Sequence, residues 1–240
     1  MALNCALIIP ALDEEGTIAE LLNELPRGRF SCVMVVDNGS CDRTAEAARA
    51  AGATVVAEKR RGYGQACLAG LSQLPPECEA VAFLDADLSD DPQDLARLLD
   101  VLESGGYDLV LGSRVLGGPE VGALQPLQRF GNWLTTELIR SLWGVRFTDL
   151  GPMRIVTRRA LERLEMRDRG FGWTVEMQAK AARLGLRVAE VPVRYRRRAA
   201  GRSKISGSFG ASLRAGAKIL WTVFQVWRQP TMPATSPGPE

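Results

Sequence analysis

The stretch FLDADLSDDP, residues 83–92, sets an apolar run against four carboxylates, Asp85, Asp87, Asp90 and Asp91, and a fifth follows at Asp94. Charges this close repel one another, so either water solvates all of them as a loop face or some of them hold a cation. Charge alone favours the solvated loop. Position weighs against it. The run AVAFLD that leads into the carboxylates reads as a short buried strand, and comparable runs recur as CALIIP, CVMVVD, ATVVAE and DLVLGS, each followed by a Gly- or Asp-rich turn and an amphipathic stretch. Strands alternating with helices predict βαβ units, and hence a mostly parallel sheet with helices on both faces. Ligands of such sheets gather outside the carboxyl ends of the strands. Residues 10–15, 37–42, 85–91 and 113–114 all follow predicted strand ends, so four polar clusters are expected on one edge.

Working outward, helices are predicted over 17–25, 42–51, 63–74 and 92–104, with Pro92 in the first turn of the last and Gly105 and Gly106 at its stop. Further on, 126–143 and 173–184 read as helices, MRIVT as a strand, and LRVAEVPVRY as a strand that Pro192 assigns to an edge or a bulge. A basic, Gly- and Ser-punctuated loop, RRRAAGRSKISGS, follows. Over 208–227, Phe209, Leu213, Leu220, Phe224 and Trp227 form a helical stripe opposite Arg214 and Lys218. The expected organisation is one α/β domain over 1–207, an amphipathic helix over 208–228 packed on that domain or on a membrane surface, and a disordered tail over 229–240.

The composition of the 240 residues, 46% hydrophobic and 24% charged, is that of a globular chain. A net charge of +2 argues against a dedicated nucleic-acid binder. It conceals an asymmetry, because residues 191–239 carry nine basic side chains and no acidic one. The five cysteines lie in the first third without CxxC spacing, which indicates neither a disulfide framework nor a zinc site; they read as small buried hydrophobes in a cytoplasmic protein. MALNCALIIP has no basic leader and reads as a strand, not a signal peptide. No segment reaches the ~18 apolar residues that span a bilayer. There is no histidine, so general acid–base work falls to carboxylates, Lys, Tyr or Cys, or is not needed.

Two carboxylates one residue apart at a strand end, as in Asp85 and Asp87, suit a hard divalent ion such as Mg²⁺ or Mn²⁺ when phosphate oxygens complete the shell. The ion would bridge a diphosphate and neutralise charge on a departing nucleotide. A DxD alone is short enough to occur by chance.

Here it stands in a series. PALDEE, VVDNGSCDRT, GYGQAC, DADLSDDP, GSR and EVPVRYRRRAAGRSK, in this order and spacing over roughly residues 4–207, resemble family 2 inverting glycosyltransferases, in the dolichyl or polyprenyl phosphate mannosyl- and glucosyltransferase branch. The resemblance implies a glycosyltransferase A-type, Rossmann-like fold and a nucleotide diphosphate sugar donor, UDP- or GDP-linked. It implies nucleoside contacts from Pro10, Leu12 and Glu14, and from Val36 and Asp37. Asp85, Ala86 and Asp87 match the metal and diphosphate motif, with Ser89 as a further metal contact. Arg114, Arg129, Asn132, Asp149 and Glu176 match positions near the acceptor. Arg198, Gly201, Ser203 and Lys204 match a loop that closes over the diphosphate. Asp87, Arg114, Arg198 and Lys204 would carry the catalysis. Leu12, Asp13 and Asn38 depart from the residues frequent in the family at those positions, and Ser89 stands where some members have Gln.

A phosphate monoester acceptor is already an anion near neutral pH and needs no general base, which suits a chain without histidine. It needs cations, which Arg114, Arg198 and Lys204 supply. A neutral hydroxyl would instead require Asp149 or Glu176 to take a proton. The expected function is transfer of a hexose to a polyprenyl phosphate, by a cytoplasmic protein that reaches the inner face of a membrane peripherally. A soluble phosphorylated or sugar acceptor, and a nucleotide-sugar-binding protein without transfer activity, are the alternatives. Several residues have simpler readings: Asp42 as a helix cap, Asp90, Asp91 and Asp94 as favourable charges at a helix N-terminus, Trp173 as core, and Arg194, Arg196 and Arg197 as a solvated strand face.

Overall fold

The computed structural model describes residues 3–197 and 209–229, the latter by backbone alone over 209–215. In chain order the elements are β1 (Cys5–Ala11), α1 (Ile18–Glu24), β2 (Cys32–Asp37), α2 (Thr44–Ala50), β3 (Thr54–Ala57), α3 (Tyr63–Leu71), β4 (Ala80–Phe83) and α4 (Asp94–Glu103). Then come β5 (Leu109–Ser113), α5 (Arg114–Gly117), α6 (Pro126–Trp143), β6 (Arg154–Thr157), α7 (Arg158–Leu164), α8 (Trp173–Arg183), β7 (Val188–Pro192) and α9 (Phe209–Arg228).

The seven strands lie in the order β3-β2-β1-β4-β6-β5-β7. All run parallel except β6, which is antiparallel to both neighbours. The strand runs look uniformly apolar because both faces of the sheet are covered. Successive β1 residues alternate between two cores: Ala6 and Ile8 pack on one face, Cys5, Leu7, Ile9 and Ala11 on the other. In β4, Val81 and Phe83 likewise oppose Ala80 and Ala82. On one side lie α1, α2 and α4, the last burying Leu95, Leu98, Leu99 and Leu102 at helical spacing, each worth about 1.5–3 kcal/mol against exposure. The other side carries α3, α6, α7, α8 and α9. There α3 approaches β1 so closely that a Cβ on Gly70 would come within 2.8 Å of the Ile8 side chain.

The sequence expectations hold for every strand core and for the long helices. Pro192 does end β7 at the sheet edge. Two short helices, α5 and α7, emerge that the pattern did not predict. Strand β6 runs into α7 without a turn, because Thr157 ends the strand and caps the helix by accepting from the Ala160 N–H at 3.2 Å. The cysteine expectation needs correction: Cys5, Cys67 and Cys78 are buried, Cys32 is half-buried, and Cys41 is exposed on the loop before α2. Burial pushes the Cys5 thiol up to about 12. Trp173 is core, edge-on to Phe83. The expected tail over 229–240 lies, but for Gln229, outside the described residues.

Candidate active site

The carboxyl ends of β1, β2 and β4 open into a cleft of about 520 Å³. Pro10, Leu12, Glu14, Asp85, Ala86 and Asp87 line it, as the family resemblance implied. So do Asn38, Arg61, Gly62, Tyr63 and Ala66, and the loop Arg169, Gly170 and Phe171 from the opposite wall.

The floor is assembled by hydrogen bonds between loops that follow different strands. Asp13 accepts from the Cys41 N–H at 2.7 Å, and the Glu14 N–H donates to Thr44 Oγ1 at 2.8 Å. Thr17 Oγ1 donates to the Ala86 carbonyl at 2.8 Å, which ties the start of α1 to the aspartate loop. Asp42, expected as the cap of α2, stands one residue before the cap position Arg43 and instead closes a turn there, accepting from the Thr44 N–H at 3.0 Å. Asp87 turns back on its own loop, taking the Ser89 N–H at 2.9 Å, while Leu88 adopts φ 57, a left-handed conformation unusual for leucine. Asp87 and Ser89 are both buried.

Val36 and Asp37 do not line the cleft. Val36 is buried in the core, and Asp37 accepts from the Ser40 N–H at 2.9 Å to close the turn after β2. The neighbouring Asn38 does the work at this strand end: its Nδ2 donates to the Arg60 carbonyl at 2.8 Å and its Oδ1 accepts from the Gly62 N–H at 2.8 Å. Asn38 therefore fixes the segment that carries Arg61, Gly62 and Tyr63 to the cleft. Tyr63 in turn donates its phenol to Asp85 Oδ1 at 2.8 Å. Burial, reinforced by the Asp85 charge, holds the Tyr63 phenol well above its usual range, so it stays protonated and donates.

A second cluster gathers beyond β5. Arg114 and Asp149 form a bidentate pair, Nε to Oδ2 at 2.7 Å and Nη2 to Oδ1 at 2.8 Å, and the Arg114 N–H adds a third bond to Oδ2. Burial alone would lower the guanidinium pKa; Asp149 more than offsets it and holds the group above its ordinary value. Asn132 brackets the same turn, donating to the Thr148 carbonyl and accepting from the Leu150 N–H. Arg129, one turn earlier on α6, is exposed. The guanidinium of Arg114 stacks 5.0 Å from the Tyr195 ring, and Tyr195 bridges to Asp90 of the aspartate loop. Asp90 is buried with neither carboxylate oxygen hydrogen-bonded among the described residues, and burial raises its pKa well above the carboxylate range. The aspartate loop thus reaches from the cleft to the Arg114 cluster. Asp91 and Asp94, expected to act only on a helix N-terminus, also hold Arg194, and Asp91 pairs with Arg196 at 2.8 Å.

Glu176 stands apart from both clusters. It pairs with Lys180 at 2.7 Å and accepts from the backbone N–H groups of Arg167 and Asp168, so it anchors the loop that presents Arg169, Gly170 and Phe171. Arg198, Gly201, Ser203 and Lys204 lie outside the described residues. Sequence reading missed Tyr63, although it lies in the quoted GYGQAC, and missed the 169–171 wall, which no local signal announces. It also missed Arg154, a fully buried guanidinium that donates to the carbonyls of Thr174, Pro152 and Gly151. Burial lowers the Arg154 pKa to about 10, and the Asp149 and Asp85 carboxylates act against that fall.

The donor set is oxygen alone. Among the described residues no group of three or more His, Cys, Asp or Glu could cage a metal by itself. Two carboxylates with room for phosphate oxygens beside them fit Mg²⁺ or Mn²⁺, which are bound by one or two carboxylates plus substrate phosphates.

This sheet order, with one reversed strand and a cleft at the parallel ends, is a glycosyltransferase A-type fold. Residues 6–165 match the model for Glycosyl transferase family 2, and the chain belongs to that family. An uncharacterised glycosyltransferase of Mycobacterium tuberculosis is 39% identical over 208 residues, which cover 86% of this chain and 92% of that one. A dolichyl-phosphate hexose transferase of Haloferax volcanii is 33% identical over 86% of this chain and 89% of its own. An undecaprenyl-phosphate mannosyltransferase of Micrococcus luteus is 33% identical over 83% and 86%. Among solved structures, glucosyl-3-phosphoglycerate synthase of Mycobacterium tuberculosis, in complex with Mn²⁺, UDP and phosphoglyceric acid, superposes with a TM-score of 0.73 at 23% identity, over 95% of this chain and 79% of that one. The same enzyme is known with Mg²⁺ and UDP.

Proposed function

We propose that this glycosyltransferase moves a hexosyl group from a UDP- or GDP-sugar to a polyprenyl phosphate, with inversion, using Mg²⁺ or Mn²⁺ held by Asp85 and Asp87. The observation that carries the acceptor is an apolar border around the Arg114 cluster. Val115 and Leu116 follow Arg114, and Leu127, Phe130 and Trp133 flank Asn132 on α6; all five are exposed large hydrophobic side chains. A cationic centre rimmed by exposed apolar surface suits an amphiphile with an anionic head. The names of the Haloferax and Micrococcus relatives point the same way.

In the proposed reaction an acceptor phosphate oxygen attacks the anomeric carbon as the bond from that carbon to the donor β-phosphate oxygen breaks in line. A divalent ion held by Asp85 and Asp87 would supply positive charge against the negative charge growing on the nucleotide diphosphate. Arg114 orients the acceptor, and Arg198 and Lys204 are assigned to the leaving diphosphate on the family resemblance. No proton needs to be removed from the attacking oxygen, consistent with a chain that has no histidine. The likeness to an enzyme solved with phosphoglyceric acid favours a second reading, a small soluble phosphorylated acceptor at the same cluster.

No helix among the described residues is long and apolar enough to cross a membrane. A lipid acceptor would then be met by peripheral contact, for which α9 is suited: it carries no acidic residue and exposes Leu220, Trp221, Phe224 and Trp227.

The test is radiolabel transfer from UDP-glucose, UDP-galactose and GDP-mannose, with Mn²⁺, to undecaprenyl phosphate in detergent or to phosphoglycerate. Label in the organic phase, abolished by Asp87→Ala with an unchanged circular dichroism spectrum, is the expected result. Label confined to water-soluble product would establish the second reading in its place. Binding of a nucleotide sugar without turnover on any acceptor would overturn both.

A further inference from the structure

Tyr63 sits where a glycine-flanked helix start meets the tip of β4, and the contact is directional. Its phenol donates to Asp85 Oδ1 at 2.8 Å, across 22 residues of sequence. The ring is not free to choose another partner, because the backbone around it is clamped. The Gly64 N–H donates to the Gly170 carbonyl at 3.2 Å and the Gln65 N–H to the Arg169 carbonyl at 2.9 Å. A Cβ at Gly62 would lie 2.2 Å from the Arg169 carbonyl oxygen, and one at Gly64 would lie 2.0 Å from that of Asp168. The 167–170 loop is held from behind by Glu176 and its Lys180 partner. Three layers, α8, the loop and the start of α3, therefore aim one hydroxyl at one carboxylate.

We propose that Tyr63 is a positioning residue for the metal site: its phenol fixes the rotation of the Asp85 carboxylate, so that Asp85 and Asp87 meet a divalent cation in a preset arrangement. This rests on the reading of Asp85 and Asp87 as the ion's ligands. Carboxylates that ligate metals are themselves hydrogen-bonded by outer partners, and loss of such a partner costs roughly 10–100-fold in metal affinity or activity. A merely structural tyrosine would satisfy its hydroxyl on any convenient acceptor, and its loss would lower stability without touching the ion.

Tyr63→Phe keeps the ring and removes the donor. Mn²⁺ binding to the full chain in the presence of UDP, followed by calorimetry and by Mn²⁺ paramagnetic resonance, is expected to weaken about 10-fold. In an Asp85→Asn background the same substitution should have little further effect, since neighbours that act through one contact are not additive. Wild-type Mn²⁺ affinity in Tyr63→Phe, with affinity lost in Asp87→Ala, would overturn the positioning role and leave the metal reading standing. Equal loss from Tyr63→Phe in both backgrounds would also overturn it. Mn²⁺ binding indifferent to Asp87→Ala would remove the metal reading, and this proposal with it.

Discussion

Arg114 and Asp149 come from separate stretches of sequence, and each was assigned to the acceptor side on its own motif. The structure makes them each other's principal partner, with side chains 15% and 1% exposed. Two guanidinium nitrogens are therefore committed to the carboxylate, and the pair is a positioned, partly neutralised unit. Taking two charges out of water is costly, and removing one partner strands the other. Asp149→Ala is expected to destabilise the fold by about 3–5 kcal/mol, read as a lowered urea midpoint with an unchanged slope. A midpoint within error of wild type would mean that Arg114 finds other compensation. The pairing was not legible because a sequence gives residue types but not partners 35 positions apart. The place of Asp85 and Asp87 at the cleft was legible, since a pair of carboxylates just past a strand falls at the carboxyl edge of the sheet. Asn38 shows the opposite case, since it departs from the family pattern, yet its two-sided amide locks the loop that follows β3.

At the scale of elements, β1, β2 and β4 were readable because a sheet buried on both faces must be apolar at every position, whichever way each side chain points. The wall formed by 167–171 was not. It has no periodicity, and what fixes it is the close approach of α3, some hundred residues earlier. Gly64→Ala tests that approach. With a carbonyl oxygen 2.0 Å from the new Cβ, the loop and the helix must separate. The expected cost is about 1–3 kcal/mol, seen as a lower melting temperature, together with weaker UDP binding by calorimetry as the cleft wall moves. Unchanged binding would show that the wall does not contact the donor.

Over the whole molecule, the charge asymmetry and the exposed aromatic side chains coincide in α9. Its buried side, Thr222, Val223 and Val226, packs on the domain beside α6 and α8. Its outer side carries Trp221 and Trp227, 52% and 55% exposed, in a tilted stack with Phe224 between them. A helix apolar on both sides is stable in water only while its outer face is tolerated there. Joint replacement of Trp221 and Trp227 by Ser is expected to lower co-flotation with anionic phospholipid vesicles several-fold while leaving the melting temperature within about 2 °C, because exposed side chains contribute little to folding. Wild-type protein that ignores vesicles altogether would count against the peripheral contact. The amphipathic helix itself was legible from its stripe, but which side of it the domain covers was not.

The single reversed strand divides the labour of the sheet. Because β6 enters beside the tip of β4 with Arg154 against Phe83, it delivers Asp149 and Arg154 from its start, where a parallel neighbour would deliver only its end. On one flank of this seam stand β1 and β2, whose ends open into the cleft, and on the other β5 and β7, beside the Arg114 cluster. On the proposed reading, exchanging the β5–β7 flank while keeping β1 and β2 would redirect the sugar to a new recipient and leave the grip on its nucleotide intact.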